Sequence, residues 1–164
     1  MSGTVLWRIA TDSPFYVADD LSGKGAEITG GRWNAAGIPM LYTAPSIAMA
    51  CLETLVHLDG TKLLPLNRYL VQIDVPDDVW RRATKMQVAA HVGWDAVQAG
   101  KVSIDCGTVW CSGMTSALAL VPSVVVPEEF CVLINPRHSD AAHLKAIKLR
   151  KWLYDPRAFG PTAY

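Results

Sequence analysis

The sequence predicts a single α+β domain whose strands are mostly antiparallel. Residues 4–10 and 69–75 alternate apolar and polar side chains as strands do, and an apolar segment with helical spacing follows Pro45. Strands and helices do not alternate regularly, which argues against a doubly wound parallel sheet. At 164 residues the chain has the length of one domain with a substantial core, so we expect no internal boundary over residues 1–164.

The remaining elements are predicted from local patterns. A Gly-rich loop is expected at residues 23–37, and helices are expected at 112–120 and, in short form, at 140–146. Short strands are expected at 40–43, between the prolines at 122–127, and at 131–134, whereas 147–154 fits a strand or a helix.

Glu53 is the only acidic residue in the long apolar run from Thr43 to Leu58, which contains no Lys or Arg. Pro45, with Thr43 or Ser46 as the N-cap, predicts a buried helix of about three turns. A carboxylate is rarely buried without a partner. Glu53 is therefore either a structural residue, paired with an arginine or a backbone group, or part of a functional site.

The composition excludes several classes of protein. Fifteen basic and fifteen acidic residues cancel, so neither nucleic-acid phosphates nor an anionic membrane is an expected partner. Every long apolar run is interrupted, which argues against a membrane span, and a cytoplasmic location is expected. The 51% of hydrophobic residues instead suggests a surface that a protein partner covers. The four cysteines lack Cys-x-x-Cys spacing, and no bound metal is expected.

The loop at 23–37 contains Arg32 among several glycines. Glycines allow the backbone to approach a ligand closely, and a guanidinium suits phosphate oxygens. Neither a Gly-x-Gly-x-x-Gly motif nor a P-loop is present. Alone, the loop favours a surface turn over a ligand site for Arg32.

Six short motifs occur in a characteristic order. They are Leu-Trp-Arg-Ile (6–9), Gly-Gly-Arg-Trp-Asn-x-x-Gly (30–37), Leu-Tyr-Thr-Ala (41–44), Leu-Glu-Thr-Leu-Val-His (52–57), Val-Pro-Ser-Val-Val-Val-Pro (121–127) and Ile-Asn-Pro-x-His (134–138). From about residue 6 to 138 this pattern resembles the RES-domain family, the toxins of bacterial Xre/RES-type toxin–antitoxin pairs. Cys131 stands where the family often has Asn, which we expect to affect a peripheral contact.

The resemblance implies an ADP-ribosyltransferase-like fold, a mixed sandwich with surrounding helices, and a cleft for NAD as substrate. It places four residues in the site. Glu53 is expected to bind the ribose and stabilise positive charge, Arg32 to clamp the diphosphate, Tyr42 to stack on nicotinamide, and Ser123 to hydrogen-bond the amide or ribose. Arg8 is a further candidate for the anion, because related transferases use an arginine on an early strand.

The activity implied by the resemblance is cleavage of NAD at the nicotinamide–ribose bond, by hydrolysis or phosphorolysis, with loss of cellular NAD and growth arrest. The oxocarbenium-like transition state of that reaction suits a single carboxylate, since nicotinamide leaves as a neutral molecule. ADP-ribosylation of a host protein uses the same residues, and a non-catalytic interaction module is the alternative from another class. The resemblance also implies a helix-turn-helix antitoxin, and a homodimer within the complex is possible.

Overall fold

The computed structural model describes residues 3–58 and 64–159. In chain order, the strands and helices of this part are β1 (Thr4–Thr11), α1 (Lys24–Thr29), β2 (Leu41–Thr43), α2 (Ile47–Leu55), β3 (Arg68–Val75), α3 (Asp77–Arg81), β4 (Thr84–Lys85), α4 (Lys101–Gly113), β5 (Leu118–Pro122), β6 (Phe130–Ile134) and β7 (Lys145–Lys151). Two short 3-10 helices span Ser139–His143 and Pro156–Phe159.

The strands form two sheets. One has the order β1-β3-β7 and is antiparallel throughout, and the other has the order β2-β6-β5-β4, in which only β4 and β5 pair in parallel. The sheets are linked where Trp7 and Ala44 exchange two backbone hydrogen bonds of 2.8 Å. The predicted α+β domain with mostly antiparallel strands is thus confirmed.

The main core contains side chains from both sheets, including Leu6, Val71 and Ile73 from the first and Leu118 and Ile134 from the second. Successive side chains of a strand point to opposite faces. Alternation along β1 therefore puts Arg8 on the same face as Leu6 and Ala10, which belong to this core. Arg8 is thus a charged residue in a row of core positions.

Helix α2 begins as the sequence predicts, because Ser46 is its N-cap and the Ser46 hydroxyl accepts a hydrogen bond from the Met49 amide at 3.1 Å. The helix is shorter and less buried than expected. It ends at Leu55, and Val56 is 55% exposed. Its buried face packs against β1 and β3, where Cys51 and Leu55 contact a cluster built around Ile9 and Leu70.

Two predicted elements are wrong. Residues 112–120 are not a helix, because α4 ends at Gly113, Met114 takes a left-handed conformation with φ of 54°, and β5 begins at Leu118. The helix-forming residues of this segment are held as a strand by pairing with β6 and β4 on either side. Residues 122–127 are not a strand either, because β5 ends at Pro122 and a turn follows.

The local sequence patterns did not predict α1, α3, α4 or β4, and they predicted the C-terminal elements only in part. Residues 140–146 contain most of the 3-10 helix Ser139–His143 and then enter β7, which resolves the ambiguous segment as a strand. Helix α4 was missed because its sequence includes Gly107. That glycine is a packing site, since a Cβ there would lie 1.8 Å from the Trp33 carbonyl oxygen. The backbones of α4 and the Arg32 loop thus meet without an intervening side chain.

Candidate active site

A cleft of about 410 Å³ lies where β1, β2, α2 and the Gly-rich loop meet. Volumes of this order are typical of small-molecule sites. All four residues that the sequence singled out line it, and so does Arg8; the five are Arg8, Arg32, Tyr42, Glu53 and Ser123. The cleft thus brings together residues that are up to 115 positions apart in the chain, from Arg8 to Ser123.

The Glu53 carboxylate is held through one of its two oxygens. Ser123, which is 2% exposed, donates its hydroxyl proton to Glu53 Oε1 at 2.6 Å. The same hydroxyl accepts hydrogen bonds from the amides of Val125 and Val126 at 3.1 and 3.0 Å. The turn after β5 therefore fixes the serine, and the serine holds one oxygen of the carboxylate. In this arrangement the Ser123 hydroxyl has no proton left for a ligand.

Cys131 on β6 also contacts Glu53, with Sγ 3.5 Å from Oε1. Burial and the negative charge of Glu53 raise the pKa of the Cys131 thiol far above its usual range, so the thiol keeps its proton and is the donor. The expectation of a merely peripheral contact at this position is wrong, because the side chain touches the central carboxylate.

Tyr42 reaches the cleft from β2, and its hydroxyl orders the Gly-rich loop. It accepts a hydrogen bond from the Trp33 amide at 2.9 Å and donates one to Asn34 Oδ1 at 2.7 Å. Burial raises the pKa of the Tyr42 hydroxyl well above its usual value. The side-chain amide of Asn34, which is 1% exposed, donates to the carbonyls of Ala26, Ala35 and Ile38. Tyr42 and Asn34 together set the shape of the loop that carries Arg32.

Arg32 lines the cleft, but its guanidinium is engaged by the backbone. Nη1 donates to the carbonyl of Ala96 at 2.8 Å and to that of Trp94 at 3.4 Å, and Nη2 donates to the carbonyl of Val97 at 3.0 Å. The Trp94 ring also stacks on Trp33, with centroids 6.4 Å apart. Arg32 thus fastens residues 89–99, which we call the 89–99 segment, to the Gly-rich loop that lines the cleft.

Arg8 differs from Arg32 in having no such partners. Its Nε and Nη1 atoms are buried, and neither donates a hydrogen bond to any acceptor in the described part of the chain. Loss of hydration on burial lowers the pKa of Arg8 to about 10, although Asp20 and Tyr16 partly oppose this shift. At neutral pH the side chain is still a cation. A half-buried cation of this kind at a cleft can bind an anionic ligand.

Sequence reasoning assigned no role to Asn34 or Trp94, and only a peripheral one to Cys131. Asn34 had a signal, since it lies in the Gly-Gly-Arg-Trp-Asn motif. The contacts of Cys131 and Trp94 had none, because their partners are 78 and 61 positions away, at Glu53 and Trp33.

Residues 3–58 and 64–159 contain neither a metal-binding cluster nor a membrane-spanning helix. No group of three or more His, Cys, Asp or Glu side chains in these ranges is arranged to hold a metal ion. None of the helices there has the length and hydrophobicity of a membrane span.

Comparison with known proteins places this chain in a family. The model of the RES domain matches residues 5–156. The chain is 59% identical over 158 residues to "Prs ADP-ribosylating toxin" of Sphingobium sp. (strain YBL2), covering 94% of this chain and 96% of that one. It is 36% identical over 143 residues to "Toxin Res" of Yersinia enterocolitica, covering 87% and 92% of the two chains.

A solved structure shares the fold. The crystal structure of the M. tuberculosis MbcT–MbcA toxin–antitoxin complex contains a chain that superposes with a TM-score of 0.60, at 17% identity, over 96% of this chain and 87% of that one. The family match and the identities together decide the assignment: the chain belongs to the RES domain family of toxins.

Proposed function

We propose that this toxin uses NAD as substrate and transfers its ADP-ribose to a host protein. The observation that carries this proposal is the 59% identity to a relative named "Prs ADP-ribosylating toxin" over almost the whole length of both chains. The cleft supports it, because it combines an anion site with a held carboxylate. We further propose that the Prs protein of the host is the acceptor.

The reaction breaks the bond between nicotinamide and the ribose carbon. The bonding electrons leave with nicotinamide, which departs neutral, and positive charge develops on the ribose as an oxocarbenium ion. The free oxygen of Glu53, Oε2, is the atom that binds the ribose hydroxyl and stabilises this charge. An acceptor atom then attacks the ribose carbon and loses its proton. In the same step Glu53 orients the acceptor.

Arg8 binds the diphosphate in this proposal. The Nε and Nη1 atoms of its guanidinium have no acceptor among residues 3–58 and 64–159, and phosphate oxygens would supply acceptors in a bidentate geometry. The expectation that Arg32 clamps the diphosphate stays a prediction. It requires the Arg32 guanidinium to give up the carbonyls of the 89–99 segment. Tyr42 offers its ring face to nicotinamide while its hydroxyl holds the loop.

Hydrolysis or phosphorolysis of NAD is the second candidate, because water or phosphate competes with a protein acceptor for the same oxocarbenium ion. The observation that favours it is the Glu53 carboxylate, whose Oε2 receives no hydrogen bond from residues 3–58 and 64–159 and is left for a small nucleophile. Both candidates share every step up to release of nicotinamide.

Mass spectrometry distinguishes the candidates. The purified chain is incubated with NAD, with and without phosphate, and with and without purified host Prs. We expect nicotinamide release together with addition of one ADP-ribose unit to Prs. Free ADP-ribose or its 1-phosphate without modified Prs would replace transfer by hydrolysis or phosphorolysis. NAD left intact under all conditions would contradict the proposal and favour an interaction module.

We also propose that a cognate helix-turn-helix antitoxin covers the mouth of the cleft. The 89–99 segment is bonded to Arg32, which lines the cleft, and it exposes apolar side chains, with Val92 and Val97 at 96% and 93% exposure. Surfaces of this kind are typical of protein interfaces. Co-expression with the antitoxin is expected to give a complex that neither binds nor cleaves NAD. A complex that cleaves NAD as fast as the free chain would rule out inhibition at the cleft.

A further inference from the structure

The two oxygens of the Glu53 carboxylate have different surroundings. Oε1 accepts the Ser123 hydroxyl at 2.6 Å and the Cys131 thiol at 3.5 Å. Oε2 receives no hydrogen bond from the described residues and is not a buried unpaired atom. The carboxylate is therefore asymmetric, with one oxygen held by the protein and the other open to the cleft.

One hydrogen bond does not fix the plane of a carboxylate. The terminal torsion of a glutamate is broad, so the group can still rotate about a single contact at Oε1. Ser123 lies in the turn after β5, whereas Cys131 lies on β6. Two donors from different segments restrict that rotation, because each constrains the oxygen from its own direction.

We propose that Cys131 is a positioning residue for Glu53, which with Ser123 holds Oε1 and so presents Oε2 to the substrate. This proposal rests on the proposed function, because it assigns the oxygen that meets the ribose. The sulfur acts as a hydrogen-bond donor and forms no bond to the substrate. Its raised pKa fits this role, since a thiolate beside a carboxylate would repel it.

Kinetics of two variants test the proposal. Cys131→Ala removes the donor, whereas Cys131→Ser keeps a donor of similar size, and Cys106→Ala removes a half-buried thiol on α4 as the matched control. For Cys131→Ala we expect kcat to fall roughly three- to tenfold, as for loss of one weak donor to a charged group, with KM changed less than about twofold. Cys131→Ser and Cys106→Ala should stay within about twofold of the wild type.

Two kinetic outcomes would overturn the proposal. One is wild-type kcat in a folded Cys131→Ala protein. The other is an equal loss of kcat in the Ala and Ser variants, which would mean that volume at this position matters and the donor does not. Thermal melting of each variant identifies a folding defect, and the Ser variant still decides the question if the Ala variant does not fold.

A second measurement needs no enzymatic activity. The charge of Glu53 contributes to the raised pKa of the Cys131 thiol, so Glu53→Gln should increase the thiolate fraction. At about pH 8.5 we expect iodoacetamide to alkylate Cys131 at least roughly threefold faster in Glu53→Gln than in the wild type, with Cys106 in the same sample as reference.

An unchanged rate of Cys131 alkylation would overturn the contact itself. If the wild-type chain neither cleaves NAD nor modifies Prs, the proposed function fails. The alkylation rates alone then decide whether Cys131 acts on Glu53.

Discussion

The two arginines of the cleft, Arg8 and Arg32, have the same charge but differ in their hydrogen-bond partners. Arg32 lies in a conspicuous Gly-rich motif, yet its Nη atoms donate to three backbone carbonyls of the 89–99 segment. Arg8 lies in the short motif at 6–9 on strand β1, yet its Nε and Nη1 atoms are buried without an acceptor from residues 3–58 and 64–159. The prominence of an arginine in a motif is thus not a measure of its availability to a ligand. Availability depends on which acceptors the rest of the fold supplies.

The difference also has an energetic side. Arg32 stabilises the fold through charged hydrogen bonds, each worth about 1.5–3 kcal/mol. Arg8 costs folding free energy, because its pKa is lower in the folded state than in the unfolded chain. The unfolded chain binds the proton more tightly, so this cost is fully present at every pH below about 10. Replacing the two arginines should therefore shift stability in opposite directions.

The largest expected effect is that of replacing Glu53, and the effects of replacing the two arginines are compared with it. Glu53→Gln removes the charge that matches the oxocarbenium ion while keeping the size of the side chain. We expect kcat to fall at least about a hundredfold, with NAD affinity changed far less, as for a group that acts in the transition state. Nicotinamide release and calorimetric titration with NAD measure the two quantities. A variant that melts far below the wild type would show instead that Glu53 is structural.

The second-largest expected effect is that of replacing Arg8. Arg8→Met removes the buried cation and keeps much of the apolar volume. NAD affinity should fall at least roughly thirtyfold, which corresponds to about 2 kcal/mol for a desolvated charge on phosphate. The melting temperature should stay the same or rise by a few degrees, since Arg8→Met removes a desolvated charge that Asp20 and Tyr16 offset only in part. A large loss of stability would mean that Asp20 pairs with Arg8 more strongly than the geometry indicates.

The same substitution at the other arginine is the matched test. Arg32→Met should lower the melting temperature by a few degrees through the lost hydrogen bonds, and it should speed amide hydrogen exchange in the 89–99 segment. NAD affinity should fall by no more than about tenfold, because the ligand contact is indirect. An affinity loss equal to that of Arg8→Met would support direct binding of the diphosphate by Arg32.

The smallest expected effect distinguishes the contribution of the 89–99 segment from that of the Arg32 charge. Trp94→Ala removes the stack on Trp33, which is worth about 0.5–1.5 kcal/mol, and leaves Arg32 in place. We expect faster hydrogen exchange in the 89–99 segment and a loss of activity of about threefold or less. If Trp94→Ala reduced activity as much as Arg32→Met, Arg32 would act wholly through the position of this segment.

The sequence predicted the fold class and the residues of the cleft more successfully than their contacts. Motif order identified Arg32, Tyr42, Glu53 and Ser123, and the fold brings all four to one cleft. Local patterns also gave β1, β2, β6 and the N-cap of α2, since these signals depend on neighbouring residues.

The partners were not predictable, because they are tertiary contacts. Ser123 bonds Glu53 across 70 positions, and Arg32 bonds Ala96 across 64. The misassigned helix at 112–120 has the same cause, since pairing with β6 and β4 outweighs the helix propensity of Leu118 and Ala119. In each case the deciding interaction is with a residue that no local window includes.

The two backbone hydrogen bonds between Trp7 and Ala44 join the two sheets beside the cleft. Trp7 precedes Arg8, and Ala44 leads within three residues into α2, which carries Glu53. The spacing between the cation and the carboxylate therefore originates in a main-chain link between the two sheets. Substitutions in the walls alter which groups face the ligand but leave this link untouched. We therefore expect substitutions in the lining of the cleft to change its chemistry while the distance between Arg8 and Glu53 stays nearly the same.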